Sequence, residues 1–154
     1  MAGDKRLDPH AEIPPLDDPA TLRPGVELFN RGEFYACHDY FEELWVAAPE
    51  PEKSFLQGLI LASVGFFHIT RGNYVGATRQ WRGALARLER PEYQPRFLHV
   101  DVEEFVQQLQ RCNERLLALG PQGVRSFDFG MTPYLPLGAP RTRRDGARKA
   151  NRPK

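Results

Sequence analysis

Apolar residues recur at intervals of three and four along most of the central chain, the spacing of helices that bury one face. The most regular stripe lies between residues 102 and 119 and consists of Val102, Phe105, Leu109, Cys112, Leu116 and Leu119. Asp101 and Glu104 predict a capped start for this helix, and Gly120 with Pro121 predicts its end. No segment alternates as a strand does. The pattern predicts an all-α fold, a compact bundle of about five helices between residues 25 and 119.

Residues 54–70 carry no charged side chain and are apolar nearly all round. This pattern predicts a central helix that is enclosed by its neighbours. Gly58 and Gly65 lie seven positions apart on this helix, and they would let another helix approach it closely.

An internal echo connects residues 29–34 with residues 69–74. In each copy one helix is predicted to end at an arginine, the chain turns at a glycine, and the next helix begins near an aromatic residue. The echo predicts two helix-turn-helix hairpins, similar in pattern to the tetratricopeptide unit but packed together rather than extended into a solenoid.

A chain of 154 residues has room for one domain, and its charge distribution predicts where that domain lies. Residues 1–24 hold five prolines, three basic and five acidic residues, which predicts an extended acidic arm. Residues 25–137 form the predicted helical domain. Residues 138–154 hold seven basic residues and one acidic residue but no large apolar side chain, which predicts a disordered basic tail.

Between the last predicted helix and the tail lies a segment rich in proline, glycine and large apolar residues. Its apolar residues are Phe127, Phe129, Met131, Tyr134 and Leu135. This composition is too apolar for a solvated tail, so it predicts an irregular strap that is ordered across the bundle.

The composition limits which cellular compartment and which partners are expected. Two cysteines provide no disulfide framework, so a cytoplasmic location is expected. No apolar run is long enough for a membrane span, so no membrane partner is expected. The net charge of +1 argues against a wholly basic surface for nucleic acid, although the basic tail could contact polyanions weakly.

A polar cluster is the strongest candidate for chemistry. His38, Glu42 and Trp45 are spaced to share one face of a helix, and His68 comes from the central helix. His38, Glu42 and His68 could converge as an open site for zinc or another divalent metal. They could equally form a hydrogen-bonded structural pair with nothing bound. The structural interpretation, without a cofactor, is favoured.

Arg71, Gly72 and Asn73 also admit two interpretations. As a structural unit they would end one helix and cap the next, which explains each residue type. As a functional unit Arg71 would bind an anion beside the amides of the following helix. The capping interpretation is favoured. Arg79, Arg82, Arg87 and Arg90 are interpreted as a solvated face of that helix.

The ordered motifs in residues 34–45, 58–60 and 68–77 resemble one family, the small all-helical proteins known as domain of unknown function 309. The resemblance covers about residues 25–90 and implies an all-helical fold with no established activity. It also implies a set of candidate site residues, which are His38, Glu42, Trp45, His68, Arg71 and Asn73. The chain departs from the family pattern at Ala36, Asp39 and Leu61, and these departures reduce the polar lining of the cluster.

Two functions follow as hypotheses, and whether the protein is an enzyme stays open. The first is a helical interaction or scaffold module that binds a protein or a small molecule in a groove beside Trp45, Trp81 and the strap. The second is a metal-assisted hydrolase or related enzyme that uses His38, Glu42 and His68.

Overall fold

Five α-helices make up most of residues 12–138, the part of the chain that this computed structural model describes. In chain order they are α1 (Pro19–Asn30), α2 (Phe34–Ala47), α3 (Glu52–Thr70), α4 (Tyr74–Leu88) and α5 (Val102–Gly123). The predicted all-α bundle is confirmed. None of the helices within 12–138 has the length and the apolar character that crossing a membrane requires.

The two hairpins that the sequence echo predicts share the same turn geometry. Gly32 and Gly72 adopt left-handed backbone conformations, with φ of 80° and 70°. The next residue donates its amide to the carbonyl five positions back, from Glu33 to Leu28 and from Asn73 to His68, in each case at 2.9 Å. This pairing is the Schellman arrangement, in which a glycine lets the chain leave one helix and satisfy its last carbonyls.

Helix α3 is the centre of the bundle and packs against α2 on one side and α4 on the other. Gly65 faces Trp81 of α4 so closely that a β-carbon there would overlap the indole ring. Trp81 is completely buried, and its Nε1 donates to the carbonyl oxygen of Ala62 at 3.1 Å. The close approach predicted at Gly65 is therefore present, but the prediction that Trp81 borders a groove is wrong.

The first helix begins earlier than predicted, because the whole of residues 1–24 was expected to form an extended arm. Helix α1 begins at Pro19, and the Asp18 carboxylate caps it by accepting from the amide of Ala20 at 3.0 Å. Proline is favoured in a first helical turn because the missing amide would have no partner there, and Pro24 then costs α1 one hydrogen bond. Residues 1–11 of the predicted arm lie outside the described residues.

A two-stranded hairpin, which the helical pattern did not predict, connects α4 to α5. It pairs β1 (Arg96–Phe97) with β2 (Val100–Asp101), and Leu98 and His99 form its turn with positive φ angles. His99 Nε2 donates to the carbonyl oxygen of Asp17 at 2.7 Å. The hairpin thereby connects the segment before α1 to the rest of the bundle.

The strap after α5 is ordered, as its apolar composition predicted. The helix kinks at Gly120, where φ is 73°, and continues for one further turn. Phe127 and Leu135 are buried. The Asn30 side chain forms two hydrogen bonds with the backbone of Leu135. Its Oδ1 accepts from the Leu135 amide at 2.7 Å, and its Nδ2 donates to the Leu135 carbonyl oxygen at 3.2 Å. Of the predicted basic tail, residues 139–154 lie outside the described residues.

Candidate functional site

A cleft of about 400 Å³ opens over the N-terminal half of α3. It is lined by Glu42, Trp45, Glu50, Lys53, Ser54, Gln57, Ile60 and Arg87. Helix α2 supplies one wall and α4 the other, so three helices of the bundle contribute side chains. Glu42 and Trp45 are the two sequence-predicted site residues that line this cleft.

Lys53 fixes the position of Trp45 at one end of the cleft. Its Nζ donates to the carbonyl oxygens of Trp45 and Val46, at 2.6 and 3.2 Å. The same ammonium group lies 4.1 Å from the centroid of the Trp45 ring. A cation at the last carbonyls of a helix is stabilising, and its contact with the indole adds a cation–π interaction. Lys53 therefore serves α2 as well as the cleft.

Glu50 has a corresponding role at the start of α3. Its carboxylate accepts from the Ser54 amide at 3.1 Å and from the Ser54 hydroxyl at 2.9 Å. The first amides of a helix have no partner within the helix, so this carboxylate satisfies one of them. Glu50 and Lys53 therefore both bind the helix ends that meet at the cleft.

Arg87 reaches the cleft from a part of α4 that packs closely on α3. A β-carbon at Gly58 would lie 2.7 Å from Leu88 and 3.5 Å from the Arg87 β-carbon, so α3 and α4 are close at this level. The guanidinium group folds back along α4, where Nη1 donates to the Gly83 carbonyl oxygen at 3.3 Å. A guanidinium group has five N–H donors, so most of them point to other partners or to solvent.

Glu42 stands on the opposite wall, next to His38. The His38 Nδ1 atom is 3.0 Å from the carbonyl oxygen of Tyr35, which can only accept, so this nitrogen carries a proton. The other ring nitrogen, Nε2, lies 4.0 Å from the Glu42 carboxylate. That distance is beyond a hydrogen bond. The predicted His38–Glu42 neighbourhood on α2 is present as an electrostatic contact.

The predicted metal triad is not assembled. His68 is hydrogen-bonded to Asn73, and no hydrogen bond or ion pair within residues 12–138 connects it to His38 or Glu42. In the same residues no group of three His, Cys, Asp or Glu side chains is placed to hold a metal ion. The helical spacing placed His38 beside Glu42 correctly, but His68 turns toward the start of α4 instead.

The position of His68 is explained by the cap of α4. Asn73 Oδ1 accepts from the Gly76 amide at 2.9 Å, which leaves the Asn73 amide nitrogen to face His68 Nδ1 at 3.2 Å. Because that nitrogen is a donor, His68 Nδ1 accepts and the imidazole is neutral. Burial lowers the pKa of His68 below its usual value. The ring also packs on Gly76, where a β-carbon would lie 2.9 Å away.

Arg71 is likewise outside the cleft. Its guanidinium lies over the ring of Phe67, 5.7 Å from the centroid, and its carbonyl oxygen accepts from Arg125 at 3.3 Å. The group formed by His68, Arg71 and Asn73 lies near the C-terminal end of α3. With a rise of about 1.5 Å per residue, His68 is roughly 16 Å along the helix from Gln57. The six predicted site residues therefore divide between two places.

Sequence reasoning missed five charged or polar residues of the cleft: Glu50, Lys53, Ser54, Gln57 and Arg87. The prediction that Arg87 belongs to a solvated face is wrong, because its side chain is half-buried in the cleft. Gly83, one turn before Arg87, carried a usable signal, because a glycine inside a helix marks a close approach. For Lys53 no local pattern indicated the contact with Trp45.

The family comparison bears on the same segment. Residues 22–80 match the family model DUF309, a domain of unknown function. The match confirms the resemblance that the motifs carry. The matched segment begins within α1 and runs through α2 and α3 into the first half of α4, so it includes Glu42, Trp45 and Gln57 but ends before Arg87. No curated protein matches the chain.

Proposed function

We propose that the protein is a binding module, and that its ligand or partner occupies the cleft between α2, α3 and α4. One observation carries the proposal: side chains from three helices converge on a volume of about 400 Å³ and bring charged, amide and indole groups together there. This volume lies in the range of about 300–1,000 Å³ that is usual for sites of small ligands.

The same cleft supports the interaction hypothesis over the hydrolase hypothesis. Its lining holds no histidine and no cysteine, and the one predicted metal ligand in it, Glu42, is not joined there by His68. We further propose a cytoplasmic location. It is supported by Cys37 and Cys112, which are both buried as free thiols, the form that a reducing compartment maintains.

The two tryptophans of the chain provide an internal test. Protein labelled with 5-fluorotryptophan gives one fluorine resonance from Trp45, in the cleft, and one from Trp81, in the core. A library of small polar fragments is screened against this protein, and the Trp45→Phe variant assigns the resonances. We expect the bound fragments to shift the Trp45 resonance and to leave that of Trp81 in place.

The opposite pattern would contradict the proposal. If fragments bind, as shown by backbone amide shifts, but leave the Trp45 resonance unchanged, the binding surface lies elsewhere on the bundle. Glu27→Gln is a matched control, because Glu27 is exposed on α1 and lies outside the cleft. This variant should bind the same fragments with unchanged affinity.

A further inference from the structure

The charges that face the cleft define the kind of ligand it would hold. Two carboxylates and two cations line it, so their formal charges balance. Glu50 and Lys53 are engaged by the ends of α3 and α2. The other two charged residues are Glu42 on the α2 wall, 4.0 Å from His38 Nε2, and Arg87 on the α4 wall, which gives one donor to the Gly83 carbonyl oxygen. Within the described residues no ion pair joins these two side chains.

Opposite charges on opposite walls favour a ligand that carries both signs. A ligand ammonium group suits the Glu42 carboxylate, and a ligand carboxylate suits the forked donors of Arg87. Between the walls α3 presents the side-chain amide of Gln57, which can both donate and accept. A peptide unit has one N–H donor and one carbonyl acceptor, and a single side-chain amide can bond to both. Trp45 and Ile60 add apolar surface at the same level.

The separation of the walls sets the length of the ligand. Packed helices lie about 8–10 Å apart, and α3 stands between the helices that carry Glu42 and Arg87. A single α-amino acid carries its ammonium and carboxylate groups on the same carbon atom, whereas a dipeptide places a peptide unit between them. An extended chain spans about 3.3–3.6 Å per residue, so two residues bridge roughly 7 Å. A dipeptide therefore suits charges on two opposite walls better than a single amino acid does.

We propose that the cleft binds short peptides with both termini unblocked, of dipeptide size, with the amino terminus at Glu42 and the carboxylate at Arg87. This inference rests on the proposed function, since it names the ligand class of the same cleft. It assigns Gln57 to the peptide unit and Trp45 and Ile60 to the ligand side chains.

The test uses the dipeptide alanyl-leucine in four forms: free, N-acetylated, C-amidated and blocked at both ends. Binding is followed by the fluorine resonance of Trp45 in the full chain, with Trp81 reporting that the fold is unchanged. We expect the free peptide to bind, and each block to weaken binding at least tenfold. Free leucine, which has both charges but lacks the length, should also bind at least tenfold more weakly.

Two variants then locate the two charges. Arg87→Gln should remove the preference for the free over the amidated peptide and keep the preference for the free amino terminus. Glu42→Gln should do the reverse. Arg82→Gln, at an exposed position of the same helix, should change neither preference.

Each contrary result has a distinct meaning. Equal binding of the four forms would overturn the zwitterion inference while the proposed binding function stands. The same holds if alanyl-leucine fails to bind but other fragments shift the Trp45 resonance. If neither the peptides nor the fragment library shift that resonance, the proposed function and this inference both fail.

Discussion

Asn73 holds His68 in its neutral form by using both ends of one side-chain amide. The oxygen accepts from the Gly76 amide and so caps α4, and the nitrogen then donates to His68 Nδ1. A proton on Nδ1 would face a donor, so protonation breaks this contact. The last turn of α3 and the first turn of α4 are thereby connected through an interaction that depends on the charge of one imidazole.

The first prediction is a loss of stability in acid. The pKa of His68 is lowered in the folded protein, so between the unfolded value, about 6.5, and the lower folded value the unfolded chain binds more protons. The free energy of unfolding should therefore fall as the pH decreases below about 6.5. Urea unfolding of the wild type and of His68→Gln at pH 7.5 and pH 5 measures this, and the variant should lose less stability.

Asn73→Asp supplies a sharper version of the same experiment. An aspartate can still cap α4, but its second oxygen accepts from a protonated imidazole and favours the charged form. The part of the stability loss in acid that is due to His68 should then become smaller or change sign. An identical pH dependence in the wild type and in Asn73→Asp would show that this pair does not control it.

The second prediction concerns the close approach of α3 and α4. Gly65→Ala should destabilise the protein by about 1–3 kcal/mol, because the new methyl group overlaps the buried indole of Trp81. Gly83→Ala is the matched control. Its methyl group meets the flexible end of Leu61 at 3.0 Å, and alanine favours the helix by about 1 kcal/mol. Chemical denaturation should separate the two variants, and equal losses would refute this account of Gly65.

A third prediction concerns Lys53. Lys53→Met keeps the length of the side chain but removes the donors to the carbonyls of Trp45 and Val46. The loss should be about 1 kcal/mol in the free energy of unfolding. The fluorine resonance of Trp45 should also move, because the indole loses its cation. Arg82→Met, at an exposed position of α4, should stay within about 0.5 kcal/mol of the wild type.

The fourth prediction concerns thiol reactivity. Burial raises the pKa of Cys37 to about 12 and that of Cys112 to about 12. With a pKa of about 12, about one thiol in ten thousand is a thiolate at pH 8. Only this thiolate form reacts readily. Mass spectrometry after iodoacetamide treatment should find both cysteines unmodified in the native protein and both modified in urea. Rapid labelling of either one in the native state would contradict their burial.

The elements predicted correctly are those whose causes are local. A glycine after an arginine at the end of an apolar stripe specifies a Schellman turn, so residues 29–34 and 69–74 predicted both hairpins. The strap was predicted because it is too apolar for a solvated tail, and Phe127 and Leu135 are indeed buried, although Phe129 and Tyr134 stay exposed. The beginning of α1 was missed because a proline ends one helix and begins another, and only the cap at Asp18 decides between these roles.

The candidate site depends on contacts between distant parts of the chain, which periodicity alone does not show. Periodicity could place His38 beside Glu42, but it could not show that Asn73 would form a hydrogen bond with His68. The two tryptophans look alike in sequence. Gly65 opposite Trp81 buries that ring, whereas Lys53 leaves Trp45 at the cleft. Arg87 looked like its solvated neighbours because the sequence of α4 does not show which of its arginines faces the cleft beside α3.

The two hydrogen bonds between Asn30 and Leu135 connect positions 105 residues apart. Asn30 is the last residue of α1, so a residue of the first hairpin bonds to a residue that is synthesised much later. Closing so long a loop costs entropy that local helix formation does not. The hairpins can form during synthesis, but the two hydrogen bonds of Asn30 can form only after residue 135 has been made, so the strap packs onto the bundle after the hairpins have formed.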